Sequence, residues 1–121
     1  MPEVLNVGVL GAGRWAKNAH IPGWQRDPRV RVLAVCDPQL ELAKEAGKEF
    51  KIPTITSNHR EVIERKDIQV IDVCTSSATH FQLTTEALEA GKHVLCEKPV
   101  GHDYQQTIQA RDLAQKKGLK T

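Results

Sequence analysis

The sequence has 121 residues, of which 40% are hydrophobic, 26% are charged and 4% are aromatic. This length predicts one domain, and the composition excludes collagen-like, low-complexity and wholly disordered chains. The formal net charge is only +2, and no stretch of the sequence concentrates the cations that binding to nucleic acid or to an anionic membrane would require.

Short runs rich in β-branched residues alternate with longer segments of helical period, a pattern typical of consecutive βαβ units. The predicted strands cover residues 4–10, 30–37, 53–56, 70–75 and 92–96, and the predicted helices cover residues 14–26, 39–51, 60–66, 79–90 and 104–117. The third strand is short, as an edge strand would be. Right-handed crossovers then predict an α/β fold with a doubly wound parallel sheet, in which the first and fourth strands are neighbours.

Residues at the predicted helix ends support these boundaries. Asn58, followed three residues later by Glu61, predicts a capping box, and Asp103 is placed to cap the last helix. Gly91 and Gly118 stand where a residue of left-handed conformation ends a helix.

The N-terminus and the cysteines indicate the compartment. Glu3 stands where a signal peptide would place Lys or Arg, and every apolar run is shorter than a membrane span, so we expect a cytoplasmic protein without a membrane segment. Cys36, Cys74 and Cys96 are odd in number and contain no Cys-x-x-Cys pair, which favours reduced, mostly buried thiols over disulfides or a zinc site.

A glycine motif follows the first predicted strand and opens the first predicted helix. Gly11-Ala12-Gly13-Arg14-Trp15-Ala16 matches G-x-G-x-x-G/A, in which Gly11 permits a tight turn, Gly13 lets a pyrophosphate approach the backbone, and Ala16 allows close helix packing. The anion would face free N–H groups around Arg14 and Trp15, at the positive end of the helix dipole. The alternative is a glycine turn that only joins strand to helix.

Asp37 ends the second predicted strand, 26 residues beyond Gly11. At this spacing its carboxylate is expected to accept hydrogen bonds from the adenosine ribose hydroxyls. The same charge would repel a 2′-phosphate, and Pro38 offers no cation to hold one, so NAD is favoured. Arg14 beside the loop keeps NADP possible. The alternative for Asp37 is a solvated acid that begins the Asp37-Pro38 turn.

Four segments together resemble the N-terminal domain of the glucose–fructose oxidoreductase / inositol dehydrogenase (Gfo/Idh/MocA) family. They are the glycine loop, Val35-Cys36-Asp37, Thr75-Ser76-Ser77-Ala78-Thr79-His80 and Ala90-Gly91-Lys92-His93-Val94-Leu95-Cys96-Glu97-Lys98-Pro99. The resemblance covers nearly the whole chain. It implies a Rossmann-type NAD(P)-binding domain of an oxidoreductase that moves a hydride between a nicotinamide cofactor and a hydroxyl of a sugar, cyclitol or related polyol.

The resemblance also implies roles for residues at the nicotinamide end. Lys98 matches the family's catalytic lysine, whose ammonium can bond the reacting oxygen, and Glu97 would orient it. Thr75 and Ser77 match cofactor-lining positions of a Thr-Pro-Asn triplet, although Ser77 is shorter than Asn. His80 matches a histidine just inside the next helix, either contacting the cofactor or bonding backbone.

Structural roles are predicted for the remaining candidate ligands. His20 follows the family pattern, but packing or capping is favoured for it, and Asp72 inside a buried strand is interpreted as a hydrogen-bonded structural acid. The other histidines, His59, His93 and His102, are scattered without a clustered ligand pattern, so we expect no metal site.

In the family, a second domain that carries substrate contacts follows this one. The chain ends at Thr121, where a sixth strand would begin, so we expect it to bind dinucleotide with little turnover. We expect self-association through the exposed edge of the fifth strand or through the surface that the second domain covers in the family. Two other functions stay open: a non-catalytic dinucleotide-binding module, and a methyltransferase using S-adenosylmethionine, which would have no need of Glu97-Lys98-Pro99.

Overall fold

The structure is a computed structural model, and it describes residues 3–121. The strands are β1 (Leu5–Leu10), β2 (Val30–Cys36), β3 (Thr54–Thr56), β4 (Val70–Val73) and β5 (His93–Cys96). The α-helices are α1 (Ile21–Gln25), α2 (Leu40–Phe50), α3 (His59–Ile63), α4 (His80–Glu89) and α5 (Tyr104–Lys117). A π-helical turn (Ala16–His20) precedes α1, and a 3₁₀ turn (Ser77–Thr79) precedes α4.

The five strands form one parallel sheet in the order β3-β2-β1-β4-β5, which confirms the predicted doubly wound α/β fold. β1 lies at the centre and pairs with β2 on one side and β4 on the other. Two clusters of buried apolar side chains form the core. The sheet is therefore a rigid base whose carboxyl edge, beside β1 and β4, is the place where such folds bind ligands.

The bounds of three elements differ from the predicted ones by more than one residue. The single helix predicted at residues 14–26 contains the π-helical turn before α1, and the helix predicted at 60–66 is the shorter α3. Strand β4 ends at Val73, because Cys74 and Thr75 turn toward the carboxyl edge. Crossing a bilayer would take a long apolar helix, and residues 3–121 supply none.

The capping box predicted at Asn58 is only half formed. The Asn58 side chain accepts a hydrogen bond from the Arg60 N–H at 3.0 Å. The Glu61 carboxylate does not reach back to the Asn58 N–H, which was the predicted contact. It accepts instead from the Thr56 hydroxyl, and that hydroxyl oxygen accepts from the Asn58 N–H at 3.1 Å. The Thr56 hydroxyl thus accepts from the Asn58 N–H in place of the Glu61 carboxylate, because β3 ends directly beside the start of α3.

The predicted ends of α4 and α5 are confirmed. The Asp103 side chain accepts from the Gln106 N–H at 2.9 Å, capping α5. Gly91 and Gly118 have φ angles of +81° and +67°, the left-handed conformation that lets the chain reverse after a helix.

The outer edge of β5 is less bare than the sequence predicts. After α5 the chain runs back beside β5, where the Val94 N–H donates to the Lys120 carbonyl at 3.0 Å. The Lys120 N–H in turn donates to Nδ1 of His93 at 3.0 Å. Residues next to Thr121 thus make the first contacts that a sixth strand would make, while Leu95 stays 44% exposed further along β5.

Candidate functional site

Two adjoining clefts open at the carboxyl edge of the sheet. The larger, about 560 Å³, is lined by residues that follow β1, β2 and β4. The smaller, about 440 Å³, lies over the ends of β4 and β5. Trp15, Cys74 and Thr75 line both clefts, so the two form one continuous depression at the β1/β4 switch point. A dinucleotide is a two-part ligand of this kind, with two nucleosides joined by a pyrophosphate.

The two glycines of the loop are required for different reasons. Gly11 has φ +103°, and a Cβ there would lie 2.5 Å from the Cys74 carbonyl oxygen. Its N–H donates to the Cys36 carbonyl at 2.7 Å, so the turn is tied to both neighbouring strands. Around Gly13 a Cβ would meet nothing within 4 Å, which leaves the space above the helix start open. Ala16 is buried, as its packing role predicts.

Asp37 lies in the larger cleft and bonds backbone on both sides. Its Oδ2 accepts from the Ala12 N–H at 2.9 Å, and its Oδ1 accepts from the Gln39 N–H at 2.8 Å. The carboxylate thus begins the turn after β2 and also braces the glycine loop, a contact the sequence did not predict. Each oxygen keeps a second lone pair, so both contacts leave acceptors for ribose hydroxyls.

Thr75 and His80 connect the ends of β4 and β5. The Thr79 hydroxyl donates to Oγ1 of Thr75 at 2.7 Å. The buried His80 ring has Nε2 3.0 Å from the Thr75 carbonyl and Nδ1 2.7 Å from the Pro99 carbonyl. His80 therefore contacts backbone, which was one of its two expected roles: the ring lies between the two carbonyls, can donate to either, and packs between the loop after β5 and the end of β4.

The remaining predicted site residues lie around the opening of the clefts. Lys98 and Ser77 are exposed and line the smaller cleft together with Glu97. Within residues 3–121 the Lys98 ammonium has no hydrogen-bond or ion-pair partner, and the side chain is exposed to solvent. Arg14 and Trp15 are exposed at the helix start and line the larger cleft.

A hydrogen-bonded network missed at the sequence level joins β4 to the loop after β5. His20 places Nδ1 2.8 Å from Oδ2 of Asp72 and Nε2 2.8 Å from Oε2 of Glu97. The Trp24 indole N–H donates to Asp72 at 2.7 Å, and the Trp15 indole N–H donates to Glu97. Asp72 is confirmed as a buried, hydrogen-bonded acid. The capping role expected for His20 is wrong, because its side chain makes no cap bond. The ring is largely buried, as a packing role requires, and it also bridges the two carboxylates.

The bridge shifts the pKa values of His20 and Glu97. Burial of the His20 ring disfavours its charged form, but the hydrogen bonds to Glu97 and Asp72 outweigh burial and raise the pKa of His20. The hydrogen bonds from His20 and Trp15 lower the pKa of Glu97. Both shifts stabilise the charged forms of the pair, a protonated His20 beside an ionised Glu97, relative to the isolated side chains.

His20, Asp72 and Cys74 also offer ligand atoms within 4.8 Å of one another, a cluster that scattered sequence positions did not indicate. The Asp72 oxygens already accept from Trp24 and His20, and Cys74 Sγ lies 3.5 Å from Oδ1. Burial, with the nearby Asp72 charge, raises the pKa of Cys74, whereas a metal ligand must be a thiolate. The cluster is explained by hydrogen bonding, and the expectation of no metal stays a prediction.

Comparison with known proteins supplies the family. Residues 5–121 match the model of the Gfo/Idh/MocA oxidoreductase family, NAD-binding Rossmann fold. A levoglucosan dehydrogenase of Pseudarthrobacter phenanthrenivorans is 33% identical over 125 aligned residues, which cover 95% of this chain and 31% of that protein. The chain thus spans about a third of the length of the curated relatives it matches.

Solved structures agree with the sequence relatives. The 3-ketoreductase KijD10 of Actinomadura kijaniata, solved with NADP and TDP-benzene, has a TM-score of 0.90 at 28% identity, covering 96% of this chain and 36% of that one. GenD2 from gentamicin A biosynthesis, solved with NAD, has a TM-score of 0.92 at 27% identity, covering 98% of this chain and 34% of its own. The chain therefore belongs to the Gfo/Idh/MocA oxidoreductase family, and residues 5–121 are its NAD-binding Rossmann domain.

Proposed function

We propose that this chain is the cofactor domain of an NAD-dependent dehydrogenase that acts on a hydroxyl of a sugar, cyclitol or related polyol. One observation carries the proposal: the open backbone at Gly13 and the Lys98 side chain lie on a single continuous depression at the β1/β4 switch point. A phosphate-binding turn and a cation at the far end are what a nicotinamide dinucleotide and its reacting partner need.

The larger cleft suits the adenosine half of the cofactor. The free N–H groups at Arg14 and Trp15 would bind the pyrophosphate, and the Asp37 carboxylate would accept from the ribose hydroxyls. Asp37 and the neutral Pro38 favour NAD over NADP, because a 2′-phosphate would meet a negative charge without a compensating cation. The exposed Arg14 at the cleft keeps NADP a second possible ligand.

The smaller cleft suits the nicotinamide half. A nicotinamide bound there would accept a hydride from the carbinol carbon, while the hydroxyl proton passes to water in the open cleft. Lys98 would bond that oxygen and stabilise the negative charge that develops on it. Thr75 and Ser77 would offer hydroxyls to the nicotinamide ribose, and Glu97 would hold the loop that carries Lys98.

A non-catalytic dinucleotide-binding module is the second candidate, because the sheet and its clefts by themselves account only for cofactor binding. The relatives are about three times as long as this chain, and positioning of the substrate can supply ~7 to 11 kcal/mol of barrier lowering. We expect the 121 residues to bind NAD with little turnover. Sustained NADH formation from NAD and a panel of polyols would contradict that expectation.

Thermal unfolding with added ligand tests the proposed binding. NAD at 100 times its dissociation constant should raise the free energy of unfolding by ~2.7 kcal/mol, because it binds only the folded chain. NADP should give a smaller increase at equal concentration. If neither nicotinamide cofactor changes the stability, the proposal is wrong, and an increase with S-adenosylmethionine alone would indicate a methyltransferase.

Self-association through the outer edge of β5 is a further part of the proposal. Leu95 is exposed there, and among residues 3–121 the edge is occupied only at its Val94 end, by Lys120. Sedimentation velocity should show dimers that grow with concentration and that Leu95→Lys abolishes, since a charge on an edge opposes pairing. Leu40→Lys, at the similarly exposed start of α2, is the matched control. A monomer at all concentrations would contradict this prediction.

A further inference from the structure

Residues 15–24 carry three aromatic rings whose nitrogens contact two acids, one in β4 and one just after β5. Trp15 and His20 reach Glu97 beyond β5, while His20 and Trp24 reach Asp72 in β4. His20 and Trp24 are four residues apart and share one helix face. The π-helical turn ends at His20, and such turns recur at functional sites because they redirect the side chains that follow.

We propose that His20 is a positioning residue for the nicotinamide end of the cofactor site: as a bridge between Asp72 and Glu97, it holds Glu97 and, through it, the backbone of Lys98. The proposal rests on the proposed function, because it assigns His20 a role in the cleft where the nicotinamide would lie. It concerns Glu97 and the loop, and assigns His20 no contact with the reacting atoms.

The contacts of Glu97 show why the bridge matters. Its Oε1 accepts from the Lys98 N–H at 3.2 Å, and its Oε2 is shared by His20 and Trp15. Trp15 is 59% exposed, so it is the weaker anchor of the two. Without His20, the Glu97 carboxylate would depend on an exposed indole. The Glu97 N–H would still donate to the Val73 carbonyl, so the loss would fall on the Glu97 side chain and on the Lys98 N–H that it accepts from.

The other end of the bridge is rigid. Asp72 is fully buried within β4, which pairs with β1 and β5 on its two sides. Trp24 bonds the same carboxylate, and the thiol of Cys74 lies 3.5 Å from it. Because His20 is held by a buried acid and by its own helix, it can fix the position of Glu97, in the loop after β5, relative to the sheet.

The charge of His20 decides whether the bridge is complete. The titratable groups that face the ring are the carboxylates of Asp72 on β4 and Glu97 after β5, with the Cys74 thiol beyond Asp72. An imidazolium donates to both carboxylates, whereas a neutral ring donates to only one. Burial opposes the charge, but the bonds to Glu97 and Asp72 raise the pKa of His20, so the bridge is complete at low pH and is lost as pH rises through that raised value.

Two ligands test the two ends of the site separately. NADH contains the nicotinamide, and ADP-ribose lacks it. In His20→Leu we expect NADH affinity to fall about tenfold, which corresponds to roughly one hydrogen bond, while ADP-ribose affinity stays within about twofold. His93→Gln, at the opposite end of β5 from Glu97, is the matched control and should leave both affinities unchanged.

The wild-type chain gives an independent readout that does not depend on a variant folding. The NADH-to-ADP-ribose affinity ratio should fall as pH rises past the His20 titration. Tryptophan fluorescence should follow the same transition, because the ring centroids of Trp15 and His20 are 6.4 Å apart and an imidazolium quenches indole emission. Both transitions should disappear in His20→Gln, which offers amide N–H donors without a titration.

The outcomes distinguish the two proposals. If wild type binds neither NADH nor ADP-ribose, the proposed function fails. If wild type binds both, and the affinity ratio is independent of pH or equal in wild type and a folded His20→Leu, the function stands and the role of His20 is overturned.

Discussion

Replacing Gly11 with alanine is expected to lower the free energy of unfolding by at least ~3 kcal/mol. A φ of +103° is strained for a residue with a Cβ, which costs about 1–3 kcal/mol. The new Cβ would also lie 2.5 Å from the Cys74 carbonyl oxygen and 3.0 Å from the Thr75 nitrogen, both backbone atoms. The Gly11 N–H bond to Cys36 prevents a simple retreat. Urea denaturation monitored by circular dichroism measures the change.

Two other glycines provide matched controls for Gly11→Ala. A Cβ at Gly13 or at Gly23 would meet nothing within 4 Å, so alanine at either position should leave the stability close to that of wild type. Gly13→Ala should nevertheless lose NAD binding, because the methyl group would occupy the space where the pyrophosphate approaches the backbone. Gly23→Ala should retain it. If the Gly11→Ala chain is as stable as wild type, the backbone around Cys74 can move away from the new Cβ, and the prediction is wrong.

The sheet order could be predicted because its signals are local in sequence. Alternating apolar runs, the turn at Gly11 and the helix stop at Gly91 each depend on a few neighbouring residues, and right-handed crossovers then leave one arrangement. The predicted bounds of β4 were too long at Thr75, since strand propensity does not reveal where the carboxyl ends turn aside to line a cleft. The capping box at Asn58 failed for a similar reason: Thr56 competes for the same acid.

The His20 network could not be predicted, because its partners are distant in sequence. His20 is 52 residues from Asp72 and 77 from Glu97, and only the order of β1, β4 and β5 brings them together. One local signal was available. Trp24 stands four residues after His20, so a polar ring nitrogen on each would share one face, which is unusual for a helix packed on a sheet.

Asp37 illustrates how a position can be predicted without its full function. The spacing from Gly11 predicted that its carboxylate lies beside the glycine loop, and the structure places it in the larger cleft next to that loop. The bonds from the Ala12 and Gln39 N–H groups were not foreseen, because they depend on how the turn after β2 folds back on the loop. A single substitution would therefore remove two things together: the brace of the glycine loop, which the structure shows, and the proposed acceptor for ribose.

In Asp37→Ala we expect NAD affinity to fall by ~1.5–3 kcal/mol, roughly 10- to 150-fold, because a charge-assisted pair of ribose contacts is lost. NADP should lose much less, since the repulsion of its 2′-phosphate disappears with the carboxylate. Calorimetric titration of both cofactors measures the ratio of their affinities, which separates ribose recognition from loop support: loss of the brace alone would weaken the two equally.

Two further variants sharpen the Asp37 result. Asp37→Asn keeps an acceptor oxygen for the Ala12 N–H but removes the charge, so the loop should stay braced while discrimination against NADP declines. Asp112→Ala removes an exposed acid on α5 that pairs with the adjacent Arg111, and it should change neither affinity. NAD binding within twofold of wild type in Asp37→Ala would exclude Asp37 from the ribose site. Equal losses of NAD and NADP would leave it only the structural role of bracing the glycine loop.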